Sequence, residues 1–107
     1  MNVDTLDFIR SCIKHRRIHW TYHVNMRLKG RFISRQAMLS SANSYEIIEE
    51  YPEDKYLPSC LVYAEYENKI IHLQIAMDLE NDSVTIVTAY KPTLDKWEKD
   101  LKTRRTL

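Results

Sequence analysis

Apolar residues recur at helical spacing in the first 42 positions, in three stretches separated by polar breaks. The first stretch, residues 4–16, alternates apolar and charged positions every three to four residues, which predicts an amphipathic helix. A second helix is predicted to begin after Thr21 as its N-cap and to stop at Gly30. A third is predicted to begin after the N-cap Ser34 and to run to about Ala42.

From residue 45 onward the helical spacing is lost and the pattern becomes typical of strands. Extended runs rich in β-branched and aromatic residues occupy 45–51, 60–67, 69–78 and 83–90. The pair Glu67-Asn68 predicts a tight hairpin, because Asn tolerates positive φ. Helical spacing returns at the end of the chain, where Leu94, Trp97 and Leu101 predict a C-terminal helix over 94–102.

This order of elements predicts an α+β fold. N-terminal helices would pack on a twisted antiparallel meander of three to four strands, followed by the C-terminal helix. A chain of 107 residues is long enough for one hydrophobic core, so a single domain over 1–107 is expected.

Composition narrows the function classes. The chain has one glycine, which argues against glycine-rich phosphate loops, and no apolar run approaches the ~20 residues that span a bilayer. The acidic, amphipathic start does not resemble a secretory signal, so a cytoplasmic protein without a membrane partner is expected. Cys12 and Cys60 lie far apart and outside any CxxC pattern, which favours buried, reduced thiols.

Charge is segregated along the chain although the net charge is only +1. From Phe8 to Tyr45 there are eight Lys and Arg residues and no Asp or Glu. From Glu46 to Asp82 ten acidic residues face two lysines, and the tail is basic again. Patches of one sign attract polyanions or oppositely charged partners. The alternative is that the two halves neutralise each other in the fold.

Two groups of polar side chains stand out against the apolar pattern. His23, Arg27 and Arg31 recur every four residues in the second predicted helix. His72 lies in the middle of an apolar strand, on the face opposite the one expected to form the core. A two-residue turn would pair it with Tyr63, and an odd-length loop before the last strand would place Tyr90 opposite it. We predict the odd case; a buried histidine satisfied by a tyrosine hydroxyl or a carbonyl is the structural alternative.

Two further chemistries are considered. His15, His19 and His23 have helical spacing that could bind zinc or nickel, but the surrounding cations would repel a metal ion. Cys12 and Cys60 could act as nucleophiles, although both lie in apolar segments that are typical of a core. We therefore expect no metal site and no cofactor.

Several short motifs, taken together in their order, carry a resemblance to a known family. Between Trp20 and Arg105 the chain contains, in this order, WTxHxxxR, RxIS, IIEEYP, PSCLV, TAYxP, WxxD and a terminal RR. This pattern resembles a family of small bacterial proteins that is catalogued as a domain of unknown function and grouped with RelE-like toxins. The grouping implies a RelE-like α+β fold and metal-independent RNA cleavage, restrained by an antitoxin of the zinc-finger or helix-turn-helix type. The turn YEN lacks the glycine that relatives often have before the strand histidine.

The resemblance marks a set of residues whose chemistry suits RNA cleavage. His23 and His72 are the expected proton-transfer pair, because an imidazole titrates near neutral pH, and Arg27 is the expected phosphate clamp. Tyr90 would stack on a base or act as an acid, and Thr88 would position the scissile nucleotide. Flanking phosphates are assigned to a basic set: Arg16, Arg17, Lys29, Arg31 and Arg105.

The alternative to an mRNA interferase is a binding module of the same fold. Basic helical segments together with exposed tyrosines would bind RNA or a partner protein without cutting anything. Both hypotheses place RNA among the expected partners, and they differ in whether the pocket around His72 performs chemistry.

Overall fold

The computed structural model describes residues 3–31 and 33–106, with side chains described for 4–26 and 33–106. Helices and strands follow the order α1 (Val3–Lys14), β1 (Ile18–Trp20), α2 (Tyr22–Arg31), α3 (Arg35–Ser40), a 3-10 turn (Ala42–Ser44), β2 (Glu46–Tyr51), β3 (Ser59–Tyr66), β4 (Lys69–Asp78) and β5 (Ser83–Tyr90). The predicted α+β class is confirmed. No helix among the described residues is long and apolar enough to cross a membrane.

The strands form one mixed sheet in the order β1-β5-β4-β3-β2. Strands β2 to β5 are the predicted antiparallel meander. Strand β1 was not predicted; it pairs in parallel with β5, with Ile18 opposite Val84. Its three residues are too few to carry a recognisable period, so only pairing with β5 makes them a strand.

Side-chain caps explain where two helices begin. The hydroxyl of Thr21 accepts a hydrogen bond from the Val24 amide (3.1 Å), and that of Ser34 accepts one from the Ala37 amide (2.9 Å). Both N-caps are as predicted. The predicted stop at Gly30 is wrong by one residue, because α2 includes Gly30 and ends at Arg31.

Two local features set the register of the sheet. Glu67 and Asn68 both have positive φ (50° and 65°), as a two-residue hairpin with right-handed strand twist requires, and Tyr63 pairs with His72 as predicted. Tyr90 pairs with His72, also as predicted, but the reason differs. The predicted odd-length loop is wrong, because the β4–β5 loop has an even length. A bulge at Val87 supplies the extra residue that restores the expected pairing.

The helices pack on one face of the sheet only. Ile9, Val24 and Met38, one from each helix, form a buried cluster with Leu73 and Ile75 of β4. His72 alternates with these strand residues and therefore points to the opposite face. That second face is covered by the C-terminal segment.

The predicted C-terminal helix is wrong. Residues 94–105 form an irregular hairpin in which Trp97 and Arg104 make an isolated bridge and the Glu98 amide donates to the Thr103 carbonyl (2.8 Å). Asp100 accepts hydrogen bonds from the Lys102 and Thr103 amides, which stabilises the turn. A helix would be short and marginal on its own. The hairpin instead buries Trp97 and leaves Leu94 exposed. The helical spacing of these two residues therefore does not reflect a shared buried face.

Candidate functional site

His72 lies at the centre of the second face of the sheet and is completely buried. The Trp97 ring packs edge-on against it with centroids 4.5 Å apart, and the Tyr90 ring packs edge-on at 5.2 Å. The imidazole is thus enclosed between β5 and the C-terminal hairpin.

Both ring nitrogens of His72 are hydrogen-bonded. Nε2 lies 2.6 Å from the carbonyl oxygen of Leu101, and Nδ1 lies 3.1 Å from the hydroxyl of Tyr90. Since a carbonyl only accepts, Nε2 carries the proton, and in the neutral ring Nδ1 accepts from the tyrosine. Burial lowers the pKa of His72, and the hydrogen bond to Leu101 opposes this shift in part. The ring is therefore neutral near pH 7 and holds the hairpin in place.

Arg104 closes the other side of the hairpin. Its guanidinium lies 4.6 Å from the Trp97 ring centroid and forms a bidentate pair with Glu49, at 3.0 Å from Nε and 2.9 Å from Nη2. The hydrogen bonds from Arg104 lower the pKa of the Glu49 carboxyl, which also accepts a short hydrogen bond from Tyr51. The carboxylate at the edge strand is thus neutralised by the basic tail.

A cleft of about 510 Å³ opens beside this arrangement. We call it the C-terminal cleft; its lining consists of Thr88, Tyr90, Lys91, Thr93, Lys96, Trp97 and Arg104. Three of these side chains are cationic, three carry a hydroxyl, and the lining includes no carboxylate. Burial raises the pKa of Tyr90, so its hydroxyl stays protonated at neutral pH and keeps its hydrogen bond to His72. The chemistry of the lining suits an anion with further hydrogen-bond acceptors.

The predicted site residues divide into two groups. The structure brings Thr88 and Tyr90 together on the face of His72, and both line the cleft. Arg105 lies nearby, but its guanidinium bonds to the Leu94 carbonyl and pairs with Glu98 (3.3 Å), so it stabilises the hairpin instead of facing the cleft.

The other predicted residues are placed elsewhere. His23 lies exposed on α2, which packs on the opposite face of the sheet through Val24, so the sheet separates it from His72. Arg16 and Arg17 lie at the corner between α1 and β1, where Arg17 pairs with Asp82 (3.3 Å). The side chains of Arg27, Lys29 and Arg31 lie outside the described residues. The expected pairing of the two imidazoles is thus not formed.

The structure does not support the histidine metal site or the cysteine nucleophile. His15 follows the last residue of α1, His19 lies on β1 and His23 on α2, so the three do not share one helix face. No group of three potential metal ligands occurs among the described residues. Cys12 and Cys60 are buried, and burial raises the pKa of both thiols, that of Cys60 to about 12, which makes them poor nucleophiles.

Sequence reasoning missed Lys91, Lys96 and Arg104, the three cationic side chains that line the cleft, of which Arg104 is paired with Glu49. In the basic tail, the family resemblance marks Arg105 and not Arg104. In the observed hairpin Arg104 pairs with Trp97, and it is therefore Arg104 that lines the cleft. The signal that could have found it is Asp100 near the middle of the segment, a residue typical of turns.

Comparison with known proteins gives a family without an assigned activity. The chain matches the family model DUF4258, a domain of unknown function, over residues 20–91. This range covers more than half of the 107 residues, so the chain belongs to that family. The match includes His72, Thr88 and Tyr90 and ends at Lys91, before the C-terminal hairpin. No curated protein and no solved structure matches the chain.

Proposed function

We propose that this member of the DUF4258 family binds single-stranded RNA, with a backbone phosphate in the C-terminal cleft. The observation that carries the proposal is the lining of that cleft. Lys91 and Lys96 line a volume of about 510 Å³ that has no acidic residue in its wall, and Arg104, which is paired with Glu49, lines the same cleft. Cationic side chains supply most of the affinity for a nucleic-acid backbone, and they do so without reading sequence.

The neighbouring groups fit the rest of a nucleotide. Tyr90 offers an aromatic ring at the wall of the cleft, and bases stack on such rings regardless of their identity. The hydroxyl of Thr88 is a donor and acceptor for a phosphate or a ribose 2′-hydroxyl. The hydroxyl of Thr93 already donates to the Asp95 carboxylate, so it offers an acceptor to a ribose 2′-hydroxyl. Arg104 is held by Glu49 and by the Trp97 ring, so little side-chain entropy is lost when it contacts an anion.

Cleavage of the bound RNA is the second candidate function, as expected for a RelE-like toxin controlled by an antitoxin. It is favoured by Tyr90, which lines the cleft and whose hydroxyl is held by the hydrogen bond to His72. In a metal-independent reaction the 2′-hydroxyl would lose its proton to a solvent water as it attacks phosphorus, and the bond to the 5′-oxygen would break. Tyr90 would turn its hydroxyl proton from His72 to that leaving oxygen and regain a proton from solvent, and Arg104 would stabilise the dianionic phosphate.

Binding ranks ahead of cleavage because the cleft holds an acid but no evident base. Its lining contains no imidazole or carboxylate that would take the proton of the 2′-hydroxyl. His72 is buried, and its Nδ1 already accepts from Tyr90. In this proposal His72 is a positioning residue, which keeps the tyrosine hydroxyl in one orientation.

The binding test uses a fluorescein-labelled single-stranded RNA and measures its dissociation constant across a range of salt concentrations. The double variant Lys91→Glu/Lys96→Asn is expected to flatten the plot of log affinity against log salt by about 1.4, since each phosphate contact contributes ~0.7 for single strands. The matched control is Lys14→Glu/Arg16→Asn, which makes the same charge change on the helical face. Equal slopes for wild type and the cleft variant would refute the proposal.

The cleavage test incubates the same RNA with wild-type protein in EDTA and follows product length. If the second candidate is right, wild type yields fragments ending in a 2′,3′-cyclic phosphate, and Tyr90→Phe abolishes them while binding persists. His72→Ala and Arg27→Ala test the catalytic roles that the family resemblance implies. Binding without any fragment would leave the protein as an RNA-binding module and reject the enzyme hypothesis.

A further inference from the structure

A second feature lies on the opposite side of the molecule, between α1 and α3. Two adjoining hollows of about 450 and 510 Å³ share a floor formed by Ile13 and Leu39. Lys14 and Ser40 line both hollows, and Arg16 lies at the rim of the second. We call this continuous depression the α1–α3 groove.

The groove is built entirely from the acid-free part of the chain. Its lining residues fall between Arg10 and Asn43 and include no carboxylate. The described ion pairs neutralise the acidic strand β2 mainly from the tail, through Lys102 with Glu46 (2.8 Å) and Arg104 with Glu49 (2.9 Å). In the N-terminal third the described ion pairs compensate Arg17, through Asp82 (3.3 Å), but they do not compensate Lys14 or Arg16.

The cations at the rim are available to a ligand. Lys14, His15 and Arg16 are exposed. Among the residues that the structure describes, neither Lys14 nor Arg16 forms a salt bridge. A set of exposed cations over an apolar floor is complementary to an acidic segment with aliphatic side chains.

The floor and end wall of the groove are rigid before any ligand binds. Ile13 is only 5% exposed and belongs to the main hydrophobic cluster. The Arg10 guanidinium donates to the carbonyls of Ala42 (3.0 Å) and Tyr45 (3.2 Å), which ties α1 to the chain after α3. A partner would therefore dock on a preformed surface, with a small ordering cost on this side.

We propose that the α1–α3 groove docks an acidic, amphipathic helical segment of a partner protein. A protein segment is favoured over RNA because the lining has no Phe, Tyr or Trp on which a base would stack, whereas the half-buried Leu39, beside the buried Ile13, provides an aliphatic floor. Leucine side chains of the partner helix would contact this floor, and its carboxylates would face Lys14 and Arg16. The site is separate from the C-terminal cleft, so the two ligands can bind together.

The test measures fluorescence anisotropy of a labelled synthetic peptide of about 15 residues, with leucines at helical spacing and glutamates between them. We expect wild type to bind it, more weakly as salt rises. The variant Lys14→Glu/Arg16→Asn is expected to weaken binding about tenfold; asparagine is chosen because residue 16 has a φ of 62°. Peptides with lysine in place of glutamate, or serine in place of leucine, should not bind.

The cleft variant Lys91→Glu/Lys96→Asn is the matched control and should bind the peptide like wild type. Its effect on RNA binding separates the two proposals, since failure of one leaves the other intact. If the groove variant binds the peptide as well as wild type, or if wild type shows no binding, the docking proposal is wrong. If the groove variant loses affinity for RNA and not for the peptide, the groove is a nucleic-acid contact instead.

Discussion

The most informative prediction concerns the pH dependence of stability that His72 causes. The ring is buried against Trp97, Tyr90 and the Leu101 carbonyl, with Arg104 and Glu49 as the nearest charged groups. Burial lowers its pKa below the unfolded value of ~6.5. Below pH 6.5 the unfolded chain therefore binds a proton that the folded chain does not, so the free energy of unfolding falls as the solution is acidified.

The magnitude follows from one proton. Between the unfolded and the folded pKa the free energy of unfolding changes by up to about 1.4 kcal/mol per pH unit. A urea m-value of ~1–3 kcal/mol/M converts this to a midpoint shift of about 0.5–1.4 M per pH unit. The loss is complete once the pH lies below the folded pKa, where both states carry the proton.

The assay is urea unfolding followed by tryptophan fluorescence at several values between pH 7.5 and 5. We expect the midpoint of wild type to fall below pH 6.5 and that of His72→Gln to fall much less. His19→Gln, which replaces an exposed imidazole, is the control and should keep the wild-type slope. Parallel pH profiles for wild type and His72→Gln would show that the buried ring does not carry the effect.

Three further predictions concern the C-terminal hairpin and the β3–β4 turn, all measured by urea unfolding. Trp97→Ala should cost about 3–5 kcal/mol, because it empties a site that is only 2% exposed; a cost below about 1 kcal/mol would mean that the hairpin does not pack as described. In a double-mutant cycle, Arg104→Ala and Glu49→Ala should show a coupling of about 0.5–1 kcal/mol that shrinks in high salt, whereas additive effects would indicate no pair in solution. Asn68→Gly should raise the free energy of unfolding by a few tenths to about 1 kcal/mol, while Asn68→Val should lower it, because φ is 65° at this position; the reverse order would contradict the turn.

Local physics made most of the fold predictable. Strands β3 to β5 were recognisable as runs of β-branched and aromatic residues, and the turn at Glu67-Asn68 because its backbone favours a residue that tolerates positive φ. The caps at Thr21 and Ser34 were recognisable for the same reason, since a cap acts within three residues. These features depend on neighbours in the chain.

The candidate site was only half predictable, since its members meet through contacts that are distant in sequence. Tyr90 reaches His72 by way of a bulge at Val87, although the loop length alone would have turned it away. Trp97 and Leu101 have helical spacing, yet this segment forms a hairpin in which the Leu101 carbonyl accepts a hydrogen bond from His72. No local preference signals either contact.

Sequence by itself determined the α+β class, the meander and the segregation of charge, because periodicity, turn residues and composition act over a few positions. Tertiary structure alone decided which surfaces those charges occupy. The helices all packed on one face, which left His23 apart from His72, and the tail folded onto the other face, where Arg104 and the lysines form the cleft. The physical reason is that side-chain burial and pairing across the sheet outweigh local helical preference in so short a segment.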